Sequence, residues 1–222
     1  MSFNIAIDGP AGAGKSTIAK QLAKELGFVY VDTGAMYRAM AYYFINHGIG
    51  ADDEAAISAA CPNVNVSITY EDGVQNVWLN GENVSSVIRQ EEVGKMASAT
   101  SVYPVVRTKL VELQQELAKT TDVIMDGRDI GTVVLPNADV KIYMTASSAV
   151  RAKRRFDELV AKGVECDLDE IEKDIIERDY RDMNRETSPL KKADDAVELD
   201  TSDLDIDGVV NAMKEIIMQK RK

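Results

Sequence analysis

The stretch Gly9-Pro10-Ala11-Gly12-Ala13-Gly14-Lys15-Ser16, with Thr17 behind it, satisfies the pattern G-x-x-x-x-G-K-[ST]. Its chemistry is anion binding. Glycines let successive backbone N–H groups turn inward around phosphate oxygens, and a helix beginning at the lysine adds the positive end of its dipole. Lys15 then reaches the β- and γ-phosphates of a nucleotide, and the Ser16 hydroxyl is a ligand for Mg²⁺. Gly9 to Thr17 is therefore a candidate nucleoside-triphosphate segment, which leaves the reaction open.

Three further clusters could meet a second substrate. They are Asp32-Thr33-Gly34-Ala35-Met36-Tyr37-Arg38, Asp126-Gly127-Arg128-Asp129-Ile130-Gly131-Thr132, and the run from Glu177 to Arg185 that carries Arg178, Asp182 and Arg185 at i, i+4 and i+7. Arginine is the side chain whose planar fork meets a phosphate bidentately, and most of the chain's arginines fall in these clusters, at Arg107, or between Arg151 and Arg155. Taken alone, the third cluster reads equally well as a solvated helix face with intrahelical ion pairs. Asp126 has two readings as well, an acid that holds a metal's water or a turn and N-cap residue. A guanine-reading Asn/Thr-Lys-x-Asp motif is absent, since Lys119-Thr120-Thr121-Asp122 has the wrong spacing, and a motor usually brings a longer core. The size favours a kinase of a small molecule.

The elements that must position these residues are legible in the periodicity. Phe3 to Ile7 is a short apolar run ending at Asp8-Gly9, Ile18, Leu22 and Leu26 recur at helical spacing before Gly27, and Phe28 to Val31 is a second strand. Strand, helix and strand within about thirty residues make a βαβ unit and a parallel sheet. Val123 to Met125, Val140 to Met144 and Ala196 to Leu199 supply three more strands, with helices over about 148–162, 169–184 and 206–219. Ligands in such sheets bind at the carboxyl ends of the strands, where the loops carrying these three clusters are expected to lie. Between 62 and 84 the pattern changes: Val64, Val66, Ile68 and Tyr70 alternate with polar residues, Glu71-Asp72-Gly73 turns the chain, and Asn80-Gly81 is a hairpin signal. That predicts a small antiparallel insert with one wet face. Pro104 suits the first turn of a helix carrying Val106, Leu110, Leu113 and Leu117.

Composition bounds the rest. The 222 residues are 45% hydrophobic, enough for a core, and 26 basic against 37 acidic side chains give a net charge of −11. That balance opposes binding to nucleic acid polymers or an anionic membrane. Apolar runs are strand-sized, far below the ~20 residues of a membrane span, and the first residues do not read as an export signal, so a cytoplasmic location is expected. Cys61 and Cys166 are read as free thiols, and with His47 the only histidine no zinc site is supported.

Over essentially the whole chain these motifs resemble the bacterial cytidylate kinases, a branch of the nucleoside monophosphate kinases: Ile7-Asp8-Gly9-Pro10 into the phosphate loop, the Asp32 to Arg38 and Asp126 to Thr132 clusters, and Glu177-Arg178-Asp179. The resemblance implies an α/β fold, a P-loop five-stranded parallel sheet with helices on both faces, plus a small antiparallel insert and a short helical lid. It implies one kinase domain with core 1–33, 100–150 and 186–222, a monophosphate-binding region 34–99 and a lid with its adjoining helix 151–185. It implies phosphorylation of CMP, of dCMP and more weakly UMP, by ATP with Mg²⁺, in a monomer. Arg38, Arg128 and Arg185 would hold the monophosphate, with Asp32 and Thr33 beside them. Ser98, Arg107 and Asp129 would meet the cytosine edge, and Arg178 and Asp182 the ribose hydroxyls. Ser98 also reads as a plain helix-surface serine. Lys15, Arg128 and Arg185, with Arg151 and Arg155 of the lid, would surround the transferring group, and Ser16 with Asp126, through water, would hold the metal. Gly34, Gly48 and Gly163 are candidate hinges for closure over the substrates. A kinase of another acceptor, such as another monophosphate or shikimate, and a nucleotide-gated binding protein are the alternatives.

Overall fold

The computed structural model describes residues 2–221. Its elements follow in the order β1 (Asn4–Asp8), α1 (Lys15–Leu26), β2 (Val29–Asp32), α2 (Thr33–Asn46), α3 (Glu54–Ala60), β3 (Val66–Glu71), β4 (Val74–Leu79), β5 (Glu82–Asn83), α4 (Glu91–Thr100), α5 (Pro104–Thr120), β6 (Val123–Gly127), β7 (Val140–Thr145), α6 (Ser148–Ala161), α7 (Leu168–Asn184), β8 (Val197–Asp200) and α8 (Ile206–Lys220). Short 3₁₀ turns lie at Cys61–Asn63 and Val87–Arg89, and a π-helical turn at Ile130–Val134. The larger sheet is parallel with strand order β2-β6-β1-β7-β8, and the smaller is antiparallel, β3-β4-β5.

The chain divides into two compact units, one built mainly from Val29–Val123 and the other from Phe3–Phe28 with Ile124 onward. In the second unit β1 registers against β7, Ile5 opposite Val140 and Asp8 opposite Tyr143, and β7 against β8. Strands buried on both faces carry unbroken apolar runs, which is why Ile5, Ala6, Ile7, Ile124, Met125, Val140, Ile142 and Met144 show 1% exposure or none. Each such branched or long side chain contributes roughly 1.5–3 kcal/mol on leaving water. Strand β8 is the exposed edge, short and mostly solvated. Helix α1 starts at Gly14 and stops at Gly27, both in the left-handed region, and buries Ile18, Ala19, Leu22 and Ala23. The strand ends and the α1 N-terminus are thereby fixed around the loop Gly9–Gly14.

In the first unit the core is Met36, Met40 and Phe44 of α2 with Ile57, Ile88 and Leu110. The expected insert is present. β3 pairs with β4 from Val66 opposite Leu79 to Glu71 opposite Val74, and the two-residue turns Asp72-Gly73 and Asn80-Gly81 have positive φ at both positions (51° and 76°, 49° and 87°). That is type I′ geometry, whose twist matches the strands it joins. The alternation of Val66, Ile68 and Tyr70 faces one side inward and leaves Ser67, Thr69 and Glu71 exposed.

Candidate active site

The phosphate loop opens where β1 ends. Gly9 has φ 150°, and a Cβ there would lie 1.9 Å from the Met144 carbonyl oxygen of β7, so the loop can leave the sheet here only because the residue is glycine. Lys15, in the first turn of α1 and 5% exposed, bends back and donates through Nζ to the carbonyls of Gly9 (2.8 Å) and Pro10 (2.7 Å). Burial holds its ammonium well below the usual lysine range. The Arg128 cation works in the same direction, against the attraction of Asp126 and Asp8. Ser16 Oγ donates to Asp126 Oδ2 at 2.8 Å, so the two candidate metal residues are neighbours at the end of β6. Among the described residues no group of three or more His, Cys, Asp or Glu could hold a metal by itself. A hydroxyl and a carboxylate side by side fit Mg²⁺ nonetheless, because that ion keeps several waters and takes most of its remaining ligands from substrate phosphates.

Behind the loop, Asp179 and Arg151 form a brace. Asp179 Oδ1 accepts from the Ala11 amide (3.2 Å), and Arg151 donates from Nη1 to the Ala11 carbonyl (2.8 Å), pairs with Asp179 Oδ2 (2.6 Å) and donates from Nε to Ala146 (2.9 Å). Arg151, a candidate for the transferring phosphate, thus grips the loop. Arg155 pairs with Glu158 on the exposed face of α6, and Arg154 donates to the Thr201 carbonyl (2.6 Å).

The clusters after β6 and at the end of α7 meet. Arg128 donates from Nε to Asp182 Oδ2 (2.9 Å), while the Arg185 guanidinium, 6% exposed, lies 3.8 Å from Asp182 Oδ1 and 3.9 Å from Asp129 Oδ1. Burial pushes the Asp182 carboxyl up, but Arg128, then Arg178 and Arg185, more than offset this and hold it below the usual carboxylate range. Arg178, half-buried one turn before Asp182, adds its charge to the same field. Arg185 is the cap of α7 rather than a residue inside it, its Nε donating to Ser188 (2.8 Å).

Asp8 carries no sequence assignment beyond its place in the motif. It is 5% exposed and accepts the Ile130 amide on Oδ1 and the Gly131 amide on Oδ2, both at 2.7 Å. The last residue of β1 thus ties down the turn that follows Arg128 and Asp129. Burial raises its pKa to about 6 despite those two amides, with Asp129 adding to the rise and Lys15 opposing it.

In the first unit two groupings hold the remaining candidates. Asp32 ends β2 and caps α2 by accepting from Ala35 (2.9 Å), with Thr33 buried next to it. Its Oδ2 takes Arg38 Nη2 at 3.2 Å and Arg89 Nη2 at 2.9 Å. Gln75 of β4 brackets its backbone, accepting from the Asp32 amide (2.8 Å) and donating to its carbonyl (3.3 Å). Elsewhere, Arg107 is 4% exposed, donates to the Ser101 carbonyl (3.0 Å) and lies 5.5 Å from the Tyr37 ring centroid, while the Ser101 hydroxyl donates to the carbonyl of Ser98 (2.9 Å). Arg89 and Gln75 escaped the sequence reading. Nothing in an isolated arginine or a strand glutamine marks it as the partner of an acid some 40 to 60 residues away, whereas Asp8 and Asp179 stood inside quoted motifs.

Comparison with known proteins adds the following. A family model described as cytidylate kinase matches residues 5–219. A cytidylate kinase of Lactobacillus johnsonii is 53% identical over 220 residues, covering 99% of this chain and 96% of that protein. One from an Exiguobacterium strain is 50% identical over 216 residues, covering 97% and 96%. Among solved structures, a gluconokinase from Sinorhizobium meliloti covers 99% of this chain and 94% of its own at 11% identity with a TM-score of 0.51, a likeness of fold alone.

Proposed function

Because the chain belongs to the cytidylate kinase family of phosphotransferases, we propose that it transfers the γ-phosphoryl group of ATP to CMP and dCMP, and more weakly to UMP, with Mg²⁺. The observation that carries this reading is the seating of Arg128 and Arg185 around Asp182 and Asp129 in the same compact unit as the phosphate loop. That arrangement supports the reading, because a transferring phosphoryl group needs cations beside the triphosphate loop.

Phosphoryl transfer asks the protein mainly to position reactants and offset charge. The acceptor is a phosphate oxygen that is already anionic near neutral pH, so no general base is required and a chain with one histidine suffices. Gly9 to Thr17 hold the triphosphate, with Lys15 turning from the Gly9 and Pro10 carbonyls to phosphate oxygens. Ser16, with Asp126 through water, would hold Mg²⁺, which when bound neutralises charge shared by the β- and γ-phosphates. Arg38, Arg128 and Arg185 receive the monophosphate, Asp32 and Thr33 support Arg38, and Arg178 with Asp182 serve the ribose. Arg151 and Arg155 complete the cations of the lid region 151–185, as 34–99 forms the monophosphate region. For the base, Asp129 accepts from the cytosine amino group while Arg107 and Ser98 donate to the ring nitrogen and carbonyl. Uracil carries a carbonyl in place of that amino group and leaves the carboxylate unmatched, which disfavours UMP.

A coupled assay of ADP release with CMP, dCMP, UMP, AMP and shikimate tests the proposal. CMP and dCMP should turn over well, UMP slowly, AMP and shikimate not at all. Equal turnover of UMP and CMP would remove the base-recognition part, and turnover of shikimate alone would overturn the assignment.

A further inference from the structure

Asp32 carries more partners than a helix cap needs. It is 5% exposed, and its one negative charge faces two guanidinium groups, Arg38 at 3.2 Å and Arg89 at 2.9 Å. Arg38 stands in the second turn of α2, while Arg89 closes the 3₁₀ turn directly after the antiparallel insert. The insert reaches Asp32 a second time through Gln75, which brackets the Asp32 peptide from both sides. Tyr70 of β3 is also close enough for the Asp32 charge, after burial, to push its phenol upward. Packing leaves little slack, since a Cβ on Gly34 would sit 3.3 Å from both Asp32 Oδ1 and Arg38 Nη1. Burial pushes the Asp32 carboxyl up, yet Arg38 and Arg89 together hold it below its usual range, so it is ionised and shared near neutral pH.

Sharing has a consequence for Arg38. A buried carboxylate with one cation beside it holds that cation tightly, and a phosphate must compete with it for the guanidinium. A second cation on the same oxygen weakens the hold and offsets the repulsion between the carboxylate and an incoming phosphate. We infer that Arg89 is a positioning residue for the monophosphate, acting through Asp32 to release Arg38, and that the antiparallel insert serves to hold Arg89 and Gln75 against Asp32. The inference rests on the reading of Arg38 as a monophosphate ligand. It gives the insert a task in substrate binding rather than in folding alone. Arg89 keeps 54% of its side chain exposed, so replacing it leaves no cavity.

The test is a cycle of Arg38→Ala, Arg89→Ala and the double variant, with Arg89→Lys as the conservative control, reading KM for CMP, KM for ATP and kcat. Arg89→Ala should raise KM for CMP about fivefold, the scale of one partly exposed ion pair. KM for ATP should stay within twofold, roughly the limit of a surface substitution. Arg89→Lys should recover most of the loss, and in the Arg38→Ala background the Arg89 substitution should add almost nothing. An undiminished effect of Arg89→Ala in that background would overturn the inference, because Arg89 would then act without Arg38. No effect of Arg89→Ala where Arg38→Ala is strongly impaired for CMP would overturn it while leaving the Arg38 reading intact. Normal CMP binding in Arg38→Ala would remove both.

Discussion

Asp8 joins the geometry of the turn after Asp129 to pH. Its carboxyl is harder to ionise in the fold than in the unfolded chain, at about 6 against an ordinary 3.8. Ionising it therefore costs stability, on the order of 3 kcal/mol, a cost present in full above about pH 6 and absent below about pH 4. Two short amide bonds to Ile130 and Gly131 are what this carboxylate returns, since they set the turn after Arg128 and Asp129. Between pH 7 and pH 5 the wild type should gain about 1 kcal/mol relative to Asp8→Asn, read from urea midpoints, because the folded state takes up a proton that the unfolded state does not. Asp32 and Asp182 do not obscure the window: their carboxyls are depressed, so their contributions are lost only at lower pH, through their folded values. A pH response unchanged by Asp8→Asn would show that the titrating group is another.

At the scale of elements, the fit of strand to loop decides the phosphate site. Gly9 and Gly27 both have positive φ, but only Gly9 faces a backbone atom at 1.9 Å, whereas nothing lies within 4 Å of a Cβ on Gly27. Gly27→Ala should cost about 1 kcal/mol, the conformational penalty alone. Gly9→Ala should cost roughly 3 kcal/mol or more, because β1 must also part from β7. Urea unfolding of the two variants checks the order, and equal costs would mean that the Met144 carbonyl yields freely. Much at this scale was legible in the sequence. The apolar runs of β1, β6 and β7, the spacing of α1, and the Asp72-Gly73 and Asn80-Gly81 turns are local signals that burial and twist confirm. The π-helical turn at Ile130–Val134 was not, since it depends on Asp8 holding two amides 122 and 123 residues away. Arg151 is a candidate site residue in the sequence, but its grip on Ala11 and Asp179 comes from the tertiary arrangement, which no spacing encodes.

For the whole molecule, a net charge of −11 and the two anionic substrates of the proposed reaction oppose each other. Exposed charges act over a Debye length of about 8 Å at physiological salt, so the bulk of that −11 is screened from a nucleotide, while buried cations such as Lys15 and Arg185 are screened far less. On the proposed function, affinity for ATP is therefore a property of few groups, and it should show in the stability of the chain. With Mg²⁺-ATP at about 100 times its Kd, the folded state should gain about 2.7 kcal/mol, raising the midpoint of thermal unfolding by roughly 5–10 °C for a chain of this size. Lys15→Ala should lose most of that shift. Without nucleotide the same variant should be as stable as the wild type or more so, because burial of the Lys15 ammonium is costly and its two bonds to the Gly9 and Pro10 carbonyls only partly offset the cost. Scanning fluorimetry with and without nucleotide separates the two effects. A full ATP shift in Lys15→Ala would detach the phosphate loop from triphosphate binding. A variant that is both unshifted and strongly destabilised would show instead that the lysine holds the loop together, making its service to the substrate secondary.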